Sequence, residues 1–245
     1  MLLYLLERGI LILAISMIRN NLNPDNILNR IEYLEYKRLC DEKKNEFLTS
    51  RYLIKRMICE KYTYCNLKEI VISHNYLRAP VLENISGFEI SISHSGKLVF
   101  LACSENKIPL GIDVQVMEKS LNLNSMLERE NKTFELDKEL QFMMVSSKES
   151  LGKVLRVGLL ANKDIYDIED FFIREIEGLK VYEFKFHKFK FYRGYALKLG
   201  PDYIVSFVTI NSNEVLLNII EQIKRSVFKN QCIVTERCLD DIFIK

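Results

Sequence analysis

The chain has 245 residues, 48% of them hydrophobic and 28% charged, a composition that excludes a disordered polymer and a length that can bury one large core or two small ones. Thirty-five Lys and Arg stand against 33 Asp and Glu, which excludes a global field strong enough to draw the protein to nucleic acid or to an anionic membrane. An anionic ligand must then be held by a local basic cluster.

The apolar start, residues 1–6 and 10–18, is interrupted by Glu7, Arg8 and Gly9, and neither run approaches the roughly 20 residues of a spanning helix. It predicts a buried first strand. Residues 23–61 read as two successive helices: Asn23 and Pro24 suit a cap and a first helical position, and Ile27, Ile31 and Leu34, then Phe47, Ile54 and Ile58, recur at helical spacing. Residues 69–74, 89–93 and 98–103 are short β-branched or apolar runs bounded by Asn, Gly and Pro, and predict strands. A helical period returns over 134–157, strands follow at 171–176, 182–191, 195–199 and 203–210, and a helix is expected at 215–228. No internal repeat is visible in the sequence. The order predicts an α+β protein of two comparable halves, residues 1–110 and 111–245, with a ligand site where they meet. Cys40, Cys59, Cys65, Cys103, Cys232 and Cys238 include no C-x2-C pair, so six reduced, mostly buried thiols of a cytoplasmic protein are expected.

Three segments carry possible chemistry. SISHSG, residues 91–96, sets Ser93 and His94 at a strand end beside a Ser-Gly turn, either a phosphate contact or a capped hairpin. LGIDVQ, residues 110–115, embeds Asp113 in apolar neighbours, where it needs a metal ion or internal donors. SSKESLGK, residues 146–153, puts Glu149 and Lys153 on one helix face, as an exposed ion pair or as an acid and a cation working together. A His, two separated acids and a Lys form a set that suits a Mg2+-bound pyrophosphate.

Taken in order, these segments resemble the 4'-phosphopantetheinyl transferase superfamily, of the large type that activates surfactin synthetase. SISHSG and LGIDVQ are similar to its Ser-His and Gly-Ile-Asp blocks, VSSKESLGKVLRVGL (145–159) to its W-S-x-K-E-S/A-x-x-K block, and SRYLIKRMI (50–58) to its basic helix. The resemblance implies an α+β fold of two similar halves in pseudo-twofold arrangement with coenzyme A in the cleft between them. It implies Mg2+ held by Asp113, Glu149 and Gln115, and catalysis by Glu149, Lys153 and Asp113. Ser93, His94, Arg51, Lys55 and Arg78 would contact the coenzyme A phosphates. The implied partner is an apo acyl or peptidyl carrier protein, with no nucleic acid or membrane, and the implied state is a monomer, because both halves lie in one chain. Three positions depart from the pattern: Gln115 stands where Glu is frequent, Arg78-Ala79-Pro80 where G-K-P is frequent, and Val145 where an aromatic is usual. The alternative is a coenzyme A-binding accessory module that does not transfer, which would bind without Mg2+.

Overall fold

A computed structural model describes residues 11–60, 66–105, 108–118 and 123–231. The apolar stretch 1–6 and Cys65, Cys232 and Cys238 lie outside them. The chain is α+β: a three-stranded antiparallel sheet, a five-stranded antiparallel sheet and a short hairpin, with helices between and around them. No helix among the described residues is long and apolar enough to cross a membrane.

The first strand, β1 (Leu11–Met17), is followed by three helices where two are expected. α1 (Pro24–Ile27) is capped by Asn23, and Leu28 is extended. Asn29 then caps α2 (Arg30–Arg38), and its backbone is held in turn by Glu32 three residues on, a reciprocal pair that restarts the helix in a new phase. The restart turns Ile31 and Leu34 outward, 70% and 53% exposed, so they do not share the buried face of Ile27. α3 (Asp41–Cys59) packs Leu53, Ile54, Met57 and Ile58 on Val99, Leu101 and Cys103. Each such side chain contributes roughly 2 kcal/mol on burial.

After α3 the predicted strand at 69–74 shrinks to β2 (Ile72–His74), because Asn66 caps a tight turn at Leu67–Glu69. β2 pairs with β3 (Pro80–Leu82). β4 (Phe88–Ser95) and β5 (Leu98–Glu105) form a hairpin, and β5 also pairs with β1. The second sheet runs β6-β10-β9-β8-β7: β6 (Leu110–Val116), β7 (Ile168–Ile176), β8 (Leu179–Phe186), β9 (Tyr192–Leu199) and β10 (Tyr203–Ile210). The run at 182–191 ends as strand at Phe186, and the Tyr192 N-H then closes a turn on the Phe189 carbonyl. Between β6 and β7 lie α4 (Glu130–Thr133) and α5 (Lys138–Val154), the latter capped by Asp137. α6 (Asn213–Gln231) sets Leu216, Ile219, Ile220 and Ile223 against a core shared with β1, β5, β6 and β10.

Side-chain hydrogen bonds join the two sheets. Ser91, Ser93 and Ser95 of β4 accept the backbone N-H groups of Ile112, Val114 and Val116 of β6 at 3.2, 3.2 and 3.0 Å. The period of two puts all three hydroxyls on one face of β4, and they satisfy an edge of β6 that has no backbone partner there. Gly111 lets α5 close on β6: a Cβ there would lie 2.0 Å from the Ser150 carbonyl oxygen.

A repeat absent from the sequence is present in the topology. The order β1-β5-β4 parallels β6-β10-β9, and the hairpins β2-β3 and β8-β7 precede β4 and β9 in the chain. A buried ion pair recurs with it. Lys55 donates to Glu32 and to the Ile27 carbonyl, while the other Glu32 oxygen takes the Ile72 N-H of β2. Lys148 donates to Glu130 and to the Met126 carbonyl, while the other Glu130 oxygen takes the Ile168 N-H of β7.

Cys59 is disulfide-bonded, against the expectation of six reduced thiols, whereas Cys40 and Cys103 are in no disulfide. Lack of C-x2-C spacing speaks against a metal or redox motif and leaves a disulfide at any other separation open.

Candidate functional site

Asp113 is 2% exposed, on the face of β6 that Gly111 opens to α5. One carboxylate oxygen accepts the Ser93 hydroxyl at 2.7 Å and the Lys153 ammonium at 2.9 Å, and the other accepts the Ser146 hydroxyl at 2.8 Å. Glu149, one turn before Lys153 on α5, is half-buried against Asp113. Burial first, then the Asp113 charge and a hydrogen bond between the two side chains, push its carboxyl up to about 7, with Lys153 pulling the other way. Two carboxylates thus sit in different surroundings, one ringed by donors and the other able to take up a proton near neutrality.

Gln115 follows Asp113 by two residues and shares its face of β6. Its side-chain oxygen is buried and has no hydrogen-bond donor. Among the described residues no three His, Cys, Asp or Glu side chains are grouped to hold a metal. Two carboxylates and an unsatisfied amide oxygen still fit Mg2+, which uses few protein oxygens and fills its remaining positions with phosphate oxygens and water.

Two adjoining cavities open beside this centre, of about 300 and 260 Å3. Arg78, Pro80 and Ile92 line both, so they form one groove. Lys43, Arg51, His74 and His94 line the first with Glu35 and Glu46, and Lys153 and Arg156 line the second with Glu89. Cations outnumber carboxylates along it. Lys153 belongs both to the groove and to the Asp113 cluster. Arg78 has a φ of 63°, a left-handed conformation rare outside glycine; Asn75 holds the turn by accepting the N-H groups of Leu77 and Ala79.

The remaining sequence-predicted residues divide. His94 faces the groove 3.1 Å from Glu46; burial lowers its pKa, Glu46 opposes this, and Lys43 and Lys153 reinforce it. Arg51 is 3% exposed and lies over the Phe47 ring, with Nε and Nη2 lacking hydrogen-bond partners. Burial lowers its pKa against the pull of Glu32 and Glu35. Lys55 is not at the groove: it is fully buried and spent on Glu32 and Ile27, one turn along α3 on the far side of Arg51. Ser93 also departs from its expected role, since its one proton goes to Asp113 and its oxygen takes the Val114 N-H; it supports the carboxylate and has no proton left for a ligand phosphate.

The sequence reading missed Arg156, Lys43 and His74 in the groove and three serines behind Asp113. A lone Ser206 in the apolar strand YIVSFV is the kind of signal that marks such a position. A further cavity of about 620 Å3 opens around Lys148 and Glu130, and holds none of the predicted site residues. Compared with known proteins, the chain matches no protein-family model and no curated protein sequence.

Proposed function

We propose that this chain is a 4'-phosphopantetheinyl transferase, moving the phosphopantetheine of coenzyme A to a serine of an apo acyl or peptidyl carrier protein in the cytoplasm. The observation that carries this reading is the meeting, at Lys153, of a paired-carboxylate centre and a basic groove. A long polyanion can lie along the groove while its pyrophosphate reaches Asp113 and Glu149. The recurrence of topology and of the buried ion pair in the two parts of the chain supports the two-halved fold the resemblance implies.

Asp113, Glu149 and the free oxygen of Gln115 would hold Mg2+, which when bound neutralises the pyrophosphate and lowers the barrier to attack on it. The groove residues Arg51, Arg78 and His94 bind and orient coenzyme A. The carrier serine oxygen forms a bond to the β-phosphorus as the bond from that phosphorus to the bridging oxygen breaks. Glu149 accepts the serine proton, directly or through a water. Lys153 offsets the charge gained by the leaving adenosine 3',5'-bisphosphate. Positioning and charge neutralisation supply most of the rate in such transfers.

The test is incubation of the purified protein with coenzyme A, Mg2+ and a panel of apo carriers, followed by mass spectrometry of the carriers. A gain of one phosphopantetheine that Asp113→Ala and Glu149→Ala both abolish supports the reading. Absence of any gain, with coenzyme A binding that ignores Mg2+, points to the non-transferring module.

A further inference from the structure

Behind Asp113 three serine hydroxyls form a chain that the proposed chemistry does not touch. Ser146 and Ser150 are one turn apart on α5, and Ser206 lies opposite them on β10, where it is the cross-strand partner of Asp113. Ser146 is 2.8 Å from Asp113, Ser206 is 2.8 Å from Ser146, and Ser150 is 2.7 Å from Ser206. All three residues are 0% exposed, so water does not compete for these bonds.

The carboxylate fixes the direction of the chain. It accepts only, so Ser146 must spend its single proton on Asp113. Ser206 must then donate to Ser146, and Ser150 to Ser206. Three hydroxyl dipoles therefore align toward one carboxylate oxygen, and bonds aligned in this way strengthen one another. A serine inside a helix otherwise tends to turn its hydroxyl back to the carbonyl four residues earlier. Donation from Ser206 to the Ser146 oxygen opposes that rotation and keeps the Ser146 proton aimed at Asp113. Ser147, the neighbour of Ser146, supplies an internal contrast: it is equally buried, and its hydroxyl has no partner.

We infer that Ser206 is a positioning residue, which through Ser146 and with Ser150 fixes the orientation of the Asp113 carboxylate for divalent-metal binding at the transferase centre. The inference rests on the transferase reading. Side chains that orient a metal-binding carboxylate change metal affinity about 10-fold or more when removed.

The experiment measures Mn2+ uptake by electron paramagnetic resonance in the presence of coenzyme A, for the parent protein and for Ser206→Ala, Ser150→Ala and Ser147→Ala. Ser206→Ala is expected to weaken Mn2+ affinity about 10-fold, Ser150→Ala to weaken it less, and Ser147→Ala to leave it unchanged. Coenzyme A affinity without metal stays at the parent value in all three, since none of these serines lines the groove. In the transfer assay, Ser206→Ala raises the Mg2+ concentration giving half-maximal rate while kcat at saturating Mg2+ is kept. Equal Mn2+ affinity in Ser206→Ala and the parent overturns the inference alone. If Ser206→Ala does not fold, Ser150→Ala decides by the same comparison. A parent protein that takes up no metal with coenzyme A overturns both the transferase reading and this inference.

Discussion

Glu149 sits where its own charge is disfavoured, because it is half-buried beside a second carboxylate. Its folded pKa lies above its unfolded value of 4.5, so between about pH 4.5 and 7 the native state binds more protons and stability falls as pH rises; above 7 the full cost remains. Glu149→Gln removes that cost. Calorimetry of the metal-free variant is expected to show a gain of about 2 kcal/mol at pH 8 that shrinks as pH drops toward 5. A gain independent of pH would refute the burial of charge as its origin. Arg51 makes a second prediction, from two nitrogens that have no hydrogen-bond partner and only long ion pairs, Nε with Glu32 at 3.6 Å and Nη2 with Glu35 at 3.9 Å. In the proposed transferase Arg51 would take the 3'-phosphate of coenzyme A, so Arg51→Ala should weaken coenzyme A binding by about 2 kcal/mol yet leave 3'-dephospho-coenzyme A almost unaffected, which titration calorimetry with the two ligands would reveal. Asp113 stood out in the sequence as a charge among apolar neighbours, and Glu149 and Lys153 as an acid and a cation on one helix face, but it was the family resemblance and not their spacing that joined them into one site. The fates of Lys55 and Ser93 were not legible there. Spacing places a residue on a face, but whether that face looks into a groove or onto a buried Glu32 depends on elements distant in the chain.

Among the elements, β6 and α5 approach closely at Gly111. Gly111→Ala brings a methyl group against the Ser150 carbonyl, and backbone on both sides leaves no flexible side chain to yield. The variant is expected to lose about 3 kcal/mol in urea unfolding. The serine seam gives a graded series. Ser91→Ala strands the buried Ile112 N-H and is expected to cost about 2 kcal/mol, whereas Ser95→Ala, at the half-buried end of the seam, should cost less than half of that. Equal losses would mean that the seam is not what satisfies β6. Most elements were readable from period alone, and two of the errors share one cause. Side-chain caps at Asn29 and Asn66 end or restart elements within a turn, so apolar residues at helical spacing on both sides of a cap need not share a face.

For the whole molecule, the recurring ion pair offers a comparison between its two parts. Lys55→Met and Lys148→Met each take the nearest cation from a buried glutamate, a change that costs about 3–5 kcal/mol when water is excluded and no second charge is at hand, although Glu32 keeps the Arg51 Nε at 3.6 Å. Lys55 is sealed, but Lys148 borders the 620 Å3 cavity, which admits water to the orphaned Glu130. Both variants are therefore expected to lose less than that full amount by chemical denaturation, and a neutral result in either would contradict a stabilising buried pair at that place. That repeat was invisible in the sequence because it resides in strand order and in two pairs of residues. Glu32 and Lys55 are 23 positions apart and Glu130 and Lys148 only 18, so no fixed period links them.

The serine contacts between β4 and β6 also decide what kind of joint the protein has. Two strands joined by a backbone ladder are locked about 4.8 Å apart, and parting them breaks several bonds at once. Here each link is a side-chain hydroxyl accepting one N-H, and the middle one, Ser93, is also tied to Asp113. The two sheets are thus held by a shared apolar core and by a row of three side-chain links, so β4 and β6 meet without a continuous backbone ladder between them.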